Sequence, residues 1–242
     1  MWNNARLLNG LANALYGLAA VLGLYGSLMV IMQLPVFPLR EVDVTGQVTR
    51  TTRDQVHAIV VEQLRGNFFT LDLDTARAAF QKLPWVRRAT LRRHWPDRLE
   101  VEIEEHVVLA RWRDSALVNT YGEVFEGATS EILPIFLAPE GTAAEVAQRY
   151  EAFRALLQPL RKRPVQVLLS ARRAWQLRLS DGEILELGRS QMEERLQRFV
   201  RAYSRTLAQL ANRPYRIDLR YSNGFAVRMP SSTRAASSVH ES

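Results

Sequence analysis

Residues 86–105 alternate apolar and polar side chains as two runs separated by Trp95, Pro96 and Asp97. If those three residues form the turn of an antiparallel hairpin, Leu91 lies opposite Val101 and Ala89 opposite Ile103 on one face. On the other face Arg92 meets Glu100 and Arg88 meets Glu104. One face is therefore apolar and the other an Arg/Glu ladder. Such a sheet is covered by helices on one side and open on the other, which reads as a binding fold rather than an enzyme.

The same periodicities place the other elements of a first small domain. Residues 39–45 alternate as a strand that ends at Gly46. Thr52 and Gln55 have capping-box spacing, and Val56, Ile59, Val60, Gln63 and Leu64 form the apolar face of a helix that stops before Gly66. A second helix begins near Asp74, capped by Asp72 or Asp74, with Ala76, Ala79, Phe80 and Leu83 inward. The order strand, helix, helix, strand, strand in about 70 residues suffices for one sheet with two helices on its inner face.

After Val107 the strands shorten. Residues 110–112, 116–119 and 124–125 are strand candidates around a Tyr121-Gly122 turn, and 132–137 is a strand or a packed loop. Residues 142–160 are helical, with Val146, Tyr150, Phe153, Leu156 and Leu157 at helical spacing. Strands follow at 165–169, 175–179 and 184–187, the last two joined by a turn at 180–183. Residues 191–210 form the longest helix outside the amino-terminal segment, with Met192, Leu196, Phe199, Val200, Tyr203 and Leu207 inward.

The last hairpin alternates Ile217, Leu219 and Tyr221, then Phe225, Val227 and Met229. A two-residue Asn-Gly turn would put these two apolar sets on opposite faces. A three-residue turn with Gly224 left-handed pairs Tyr221 with Phe225, Leu219 with Val227 and Asp218 with Arg228, so the latter register is expected. The final strand has no later partner in sequence and is expected at a sheet edge. Residues 231–242 are small and polar and are expected to be disordered.

One apolar run stands apart from these patterns. No charged side chain occurs from residue 7 to residue 39, and residues 11–34 exceed the roughly 20 apolar residues a membrane-spanning helix needs. A cleaved signal peptide would carry a basic leader and a small-x-small cleavage site, whereas Arg6 alone precedes the run and Gln33, Leu34 and Pro35 follow it. An uncleaved anchor is the reading adopted. Loop charge does not orient it, since Arg40, Glu41 and Asp43 nearly cancel.

Composition excludes some chemistry. Cysteine is absent, which rules out disulfides and thiolate metal sites. Of 32 basic residues only Lys82 and Lys162 are lysines, and the net charge is +7. The arginines are scattered and interleaved with 25 acids rather than gathered on a stripe with stacking aromatics, so no nucleic-acid partner is expected. Glu100, Glu102, Glu104, Glu105 and His106 suggest a hydrolase or a metal site. Alternate glutamates on one strand face are more often an ion-paired surface, and the histidines at 57, 94 and 240 have no metal-ligand spacing. No zincin, nucleophile-elbow or Walker motif occurs. The expectation is a non-enzyme without cofactors or metal.

The run from Leu83 through Trp85, Arg87, Trp95 and Asp97 into the Glu-rich strand resembles the polypeptide-transport-associated (POTRA) module. Ala110-Arg-Trp112, Pro139-Glu-Gly141, Ala171-Arg-Arg-Ala-Trp-Gln176, Leu187-Gly-Arg189, Arg198-Phe-Val200 and Ile217-Asp-Leu-Arg-Tyr221 resemble, in order, motifs of the FtsQ family of cell division proteins. The fold expected is α+β: a cytoplasmic tail (1–10), a transmembrane helix (11–34), a POTRA domain (37–106), a mainly antiparallel mixed β domain with two helices (107–230) and the tail (231–242).

The resemblance implies a single-pass inner-membrane scaffold of the division complex, its amino terminus cytoplasmic and its folded domains periplasmic, joining early and late division proteins. It implies binding of FtsB, paired with FtsL, by the carboxy-terminal domain. It further implies recruitment through the POTRA domain by upstream proteins such as FtsK, and an indirect influence on FtsW and FtsI. Arg220, Tyr221 and Gly224 match the family's interaction segment, and Arg172 and Arg173 its Ala-Arg-Arg motif, which suits an acidic residue of FtsB. The edge strand suits strand addition, so the expected partner-binding set is Arg172, Arg173, Arg220, Tyr221, Asn223, Gly224, Phe225, Ala226, Val227 and Arg228. A POTRA protein of an export or outer-membrane assembly system is the alternative. It would carry tandem POTRA repeats or barrel strands, and neither is present.

Overall fold

The computed structural model describes residues 5–33, 38–64, 67–203, 215–221 and 223–229. Helix α1, Ala5–Gln33, holds the apolar stretch Asn9–Met32 of 24 residues. At 1.5 Å per residue that stretch is about 36 Å long, enough for the roughly 30 Å hydrocarbon core. Among the described residues, Leu11, Tyr16, Leu24 and most of their neighbours in α1 are exposed, as suits a membrane anchor and not a core helix.

The chain then divides between Glu105 and His106 into two compact units. In the first, β1 (Glu41–Thr45) is followed by α2 (Arg53–Gln63), α3 (Leu73–Gln81), β2 (Val86–His94) and β3 (Arg98–Glu105). The capping box at α2 forms in both directions, Thr52 Oγ1 accepting from Gln55 N and Gln55 Oε1 from Thr52 N. Asp72 caps α3, its carboxylate accepting from Asp74 N and Thr75 N. Strand β3 is central, antiparallel to β2 and parallel to β1. Leu91↔Val101, Ala89↔Ile103, Arg92↔Glu100 and Arg88↔Glu104 are paired as the alternation requires. Val56, Leu71, Phe80 and Ala89 close a core over Leu99, Val101 and Ile103.

The Arg/Glu ladder needs correcting at the level of ion pairs. A bulge between Val86 and Arg88 turns Arg87 onto Glu104 at 2.7 Å, and His94 reaches Glu100 at 2.8 Å. Facing register positions do not fix which long side chain reaches which carboxylate.

The second unit holds β4 (Val108–Trp112), β5 (Ala116–Asn119), β6 (Val124–Phe125), β7 (Ile135–Leu137), α4 (Ala143–Leu157), β8 (Pro164–Leu169), β9 (Trp175–Leu179), β10 (Ile184–Gly188), α5 (Met192–Ala202), β11 (Arg216–Asp218) and β12 (Ala226–Arg228). Its strands lie in the order β12-β11-β10-β9-β8-β7-β4-β5-β6, with antiparallel pairs in the majority. Val146, Tyr150, Phe153 and Leu157 of α4 and Met192, Leu196 and Phe199 of α5 form one core with Val167, Leu177, Leu185 and Ile217 of the sheet. Gly122, at φ +80°, lets the β5–β6 turn approach α4, where a Cβ would lie 2.3 Å from Ala144 Cα. The expected continuation of α5 to Leu210 and the tail 231–242 lie outside the described residues.

Candidate partner-binding edge

The final hairpin forms in a different register from the expected one. Ile217 pairs with Val227, Asp218 with Ala226 and Arg216 with Arg228, so that residues 219–221 and 223–225 lie outside the paired strands. A shift by two residues keeps the same side chains on the same face, so apolar matching alone does not distinguish the registers. Local polar bonds favour the observed one. Asp218 Oδ1 accepts from Arg220 N at 3.0 Å and from Arg220 Nε at 2.9 Å, and Oδ2 takes Arg220 Nη2 at 2.6 Å, so the chain turns where Asp218 was expected to reach Arg228. Gly224 has no positive φ, and a Cβ there would meet nothing.

On β11 the packing reaches as far as Leu219, which is 2% exposed and donates its N–H to Glu186 O. Phe225 leans edge-on against Phe199 with centroids 6.3 Å apart, pinning the base of β12 to α5. Beyond it Ala226, Val227, Arg228 and Met229 are all exposed, and among the described residues β12 is the terminal strand of the sheet. Tyr221 and Asn223 are exposed in the connection, and Arg198 Nη1 donates to Tyr221 O.

An open cleft of about 500 Å³ lies along this edge, lined by Tyr221, Ala226 and Val227 and by five charged residues, Glu186, Arg216, Asp218, Arg220 and Arg228. Arg216 pairs with Glu186 across β10 and β11. Hydrogen bonds from Arg220 hold the Asp218 carboxyl below its usual value against a smaller opposing effect of burial, and Asp218 in turn raises Arg220. Arg228 faces Arg216 and has no ion-pair partner among the described residues. Among the described residues Arg228 is thus the one arginine of the cleft lining without an ion pair.

Glu186 and Arg216 were not among the expected site residues. Alternation with Leu185, Leu187 and Ile217 places both on the polar face. Only the parallel pairing of β10 with β11 across α5 brings them together.

Arg172 and Arg173 sit in the β8–β9 turn, closed by Ser170 N to Ala174 O and Arg173 N to Ser170 O, both 2.9 Å. The pairings Leu169↔Trp175 and Trp175↔Gly188, with Gly188 close beside Arg220, put this turn at the same end of the sheet as residues 219–225. From β9 to β12 is three strand spacings, about 14 Å. Arg173 adopts φ +64° and pairs with Glu145 of α4, while Arg172 is exposed. The structure therefore places Arg172, Arg173, Arg220, Tyr221, Asn223, Gly224 and Phe225 toward one end of the sheet, with Arg173 already engaged inside the protein, while Arg228, level with Arg216, Ile184 and Arg178, lies toward the other.

At the end of the glutamate-rich strand two of its groups have structural partners. Glu105 accepts backbone N–H bonds from Thr49, Arg50 and Thr51, and His106 stacks on Phe125 at 4.0 Å and lies 2.9 Å from Asn119 Nδ2. Among the described residues no three His, Cys, Asp or Glu gather as a metal site would need.

Comparison with known proteins follows the two units. Residues 37–106 match the family model described as POTRA domain, FtsQ-type, and residues 110–220 match that described as Cell division protein FtsQ/DivIB, C-terminal. The chain is 45% identical to Cell division protein FtsQ of Nitrosospira multiformis over 233 residues, covering 94% of this chain and 99% of that one. It is 42% identical to the protein of that name from Burkholderia pseudomallei over 94% of both chains. With the Neisseria gonorrhoeae protein, also a Cell division protein FtsQ, it shares 31% identity over 94% and 95%.

Proposed function

Because the chain belongs to the FtsQ family of cell division proteins, we propose that it is a non-enzymatic scaffold of the bacterial division complex that offers β12 as a template for a strand of FtsB, itself paired with FtsL. In this reading α1 is a single-pass inner-membrane anchor with its amino terminus in the cytoplasm, and both folded units are periplasmic. Upstream proteins such as FtsK are met by the POTRA domain, and FtsW and FtsI are influenced through FtsB and FtsL.

The observation that carries the reading is the exposed strand β12, terminal in its sheet among the described residues, beside a cleft holding Arg228, which has no ion pair among those residues. Backbone hydrogen bonds along Ala226, Val227 and Arg228 supply affinity to an added strand, and side-chain matches at the cleft supply selectivity. An acid on the partner meets Arg228, and a second, toward the opposite end of the sheet, meets Arg172.

Photocrosslinkers at Ala226 and Val227 are expected to capture FtsB in dividing cells. Tyr221→Ala and Gly224→Leu should each weaken FtsB capture about tenfold or more, as truncation or obstruction of a central contact does. Thermal melting should be unchanged, because Tyr221 is 58% exposed and Gly224 has open space around it. Crosslinks that never reach FtsB would reject the edge-strand reading.

A further inference from the structure

We propose that the end of the first unit nearest α1 rests on the lipid headgroups beside the anchor, through Phe69 and Trp95 and the arginines around them. The proposal builds on the reading of α1 as a membrane anchor and adds a second, peripheral contact with the same bilayer.

The depth of this end is set by a hydrogen bond. Asn67 Nδ2 donates to Met32 O at 2.7 Å, and Met32 is the last residue of the apolar stretch Asn9–Met32. Asn67 is 6% exposed, and its Oδ1 accepts from Phe69 N, Thr70 N and Thr70 Oγ1 at 2.8–2.9 Å. A closed turn is thus fixed at the level where the hydrocarbon ends. Phe69 stands at its tip, 40% exposed and edge-on to the buried Phe68.

Two further links bring the β2–β3 turn to the same end. Pro38 bridges to Asn67, and two residues later Arg40 N donates to Asp97 O at 2.9 Å. Arg93 Nη2 donates to Leu71 O, tying the end of β2 to the turn that carries Phe69. Trp95 projects from the β2–β3 turn at 77% exposure, among the exposed arginines Arg40, Arg92 and Arg98, of which Arg40 lies 3.9 Å from Asp97 and Arg98 2.9 Å from Glu41.

In water the exposed parts of the two rings, 77% of Trp95 and 40% of Phe69, are apolar surface left facing solvent. At a membrane surface a tryptophan ring places its apolar body among the acyl ends and its N–H in the headgroups, and arginines reach phosphate oxygens. Aromatic rings and cations at the depth of a membrane helix's end are the chemistry of an interfacial belt.

The chain contains no cysteine, so one introduced cysteine gives a unique label. The full chain, reconstituted in vesicles of phosphatidylethanolamine and phosphatidylglycerol, is labelled with an environment-sensitive fluorophore at Leu22→Cys, Phe69→Cys, Trp95→Cys or Gln47→Cys, one at a time. Spin-labelled lipid then serves as quencher. The expected result is quenching of Leu22 by lipid labelled deep in the acyl chain, quenching of Phe69 and Trp95 by lipid labelled at the headgroup, and neither at Gln47, beyond the far end of β1. Quenching at Leu22 without quenching at positions 69 and 95 would overturn the docking and leave the anchor standing. No quenching at Leu22 would overturn the anchor, and the docking with it.

Discussion

Of the five carboxyl and imidazole groups that together suggest a hydrolase or a metal site, Glu105 instead holds a stretch of backbone. Its carboxylate accepts from Thr49 N at 2.9 Å, Arg50 N at 3.0 Å and Thr51 N at 2.6 Å, gathering three backbone donors just before α2 begins. Partial burial acts to raise its pKa, but the donors outweigh it and hold the carboxyl below the usual glutamate value. A folded-state pKa below the unfolded one means that the stabilisation is complete above the unfolded value near 4.5 and fades as pH falls through the folded value. Glu105→Ala is therefore expected to destabilise the first unit by about 1–3 kcal/mol at pH 7, for donors left unmet at a half-buried site. The difference from the parent should shrink below about pH 4.5, where the parent itself loses the ionised acceptor. Urea denaturation at pH 7 and pH 3.5 measures both, and an equal difference at the two values would contradict this role. The nest escapes a local reading because its donors lie 54–56 positions away in sequence, whereas the Thr52/Gln55 capping box is legible at a glance because its members are three apart.

Elements that carry their own punctuation were legible, and those that depend on distant partners were less so. The β2–β3 register follows from strict alternation and a three-residue turn. The β11–β12 hairpin obeys the same alternation yet pairs two residues off, because Asp218 bonds to Arg220 and turns the chain early. A second distant constraint sits at the β9–β10 turn. Lys162, nearly buried, pairs with Asp181 and with Glu183, its ammonium lies 4.2 Å from the centre of the Tyr203 ring, and the Tyr203 hydroxyl donates to Glu183 Oε1 at 3.0 Å. One lysine so joins the approach to β8, the β9–β10 turn and the end of α5. Burial works to lower the Lys162 pKa, but the two carboxylates and Tyr203 raise it overall. Its contribution is then fully present below the unfolded value and is lost as pH climbs beyond about 10.5. Lys162→Met should cost about 3–5 kcal/mol, since it leaves Glu183, 2% exposed, as an unpaired buried charge. Lys162→Met combined with Glu183→Leu should recover most of that loss. A double variant no more stable than Lys162→Met would show that the charge pair is not what holds these elements.

Across the whole molecule the α+β order and the apolar helix could be read from the sequence, while the nine-strand order could not, since β7 and β11 enter by parallel pairings that skip over other elements. The candidate partner-binding edge shares that limit: Tyr221 and Arg228 were legible as candidates, but Glu186 and Arg216 join them only through the β10–β11 pairing. The two units each close a core with no residue in common, one around Phe80, Leu99 and Ile103 and the other around Phe136, Phe153 and Phe199. Phe80 and Phe153 are both fully buried, so truncating either to alanine leaves a cavity worth about 3–5 kcal/mol. If each core is cooperative on its own, that loss stays within its unit. Phe80→Ala is expected to speed hydrogen exchange at Val101 and Ile103 while leaving Leu177 and Leu185 as protected as before, and Phe153→Ala should do the reverse. The division has a functional corollary: FtsB capture at β12 should survive Phe80→Ala and fall with Phe153→Ala, because the edge strand is held through Phe225 against Phe199. Capture lost equally in both variants would mean that the edge depends on the first unit, and the binding site would then have to be redrawn to include it.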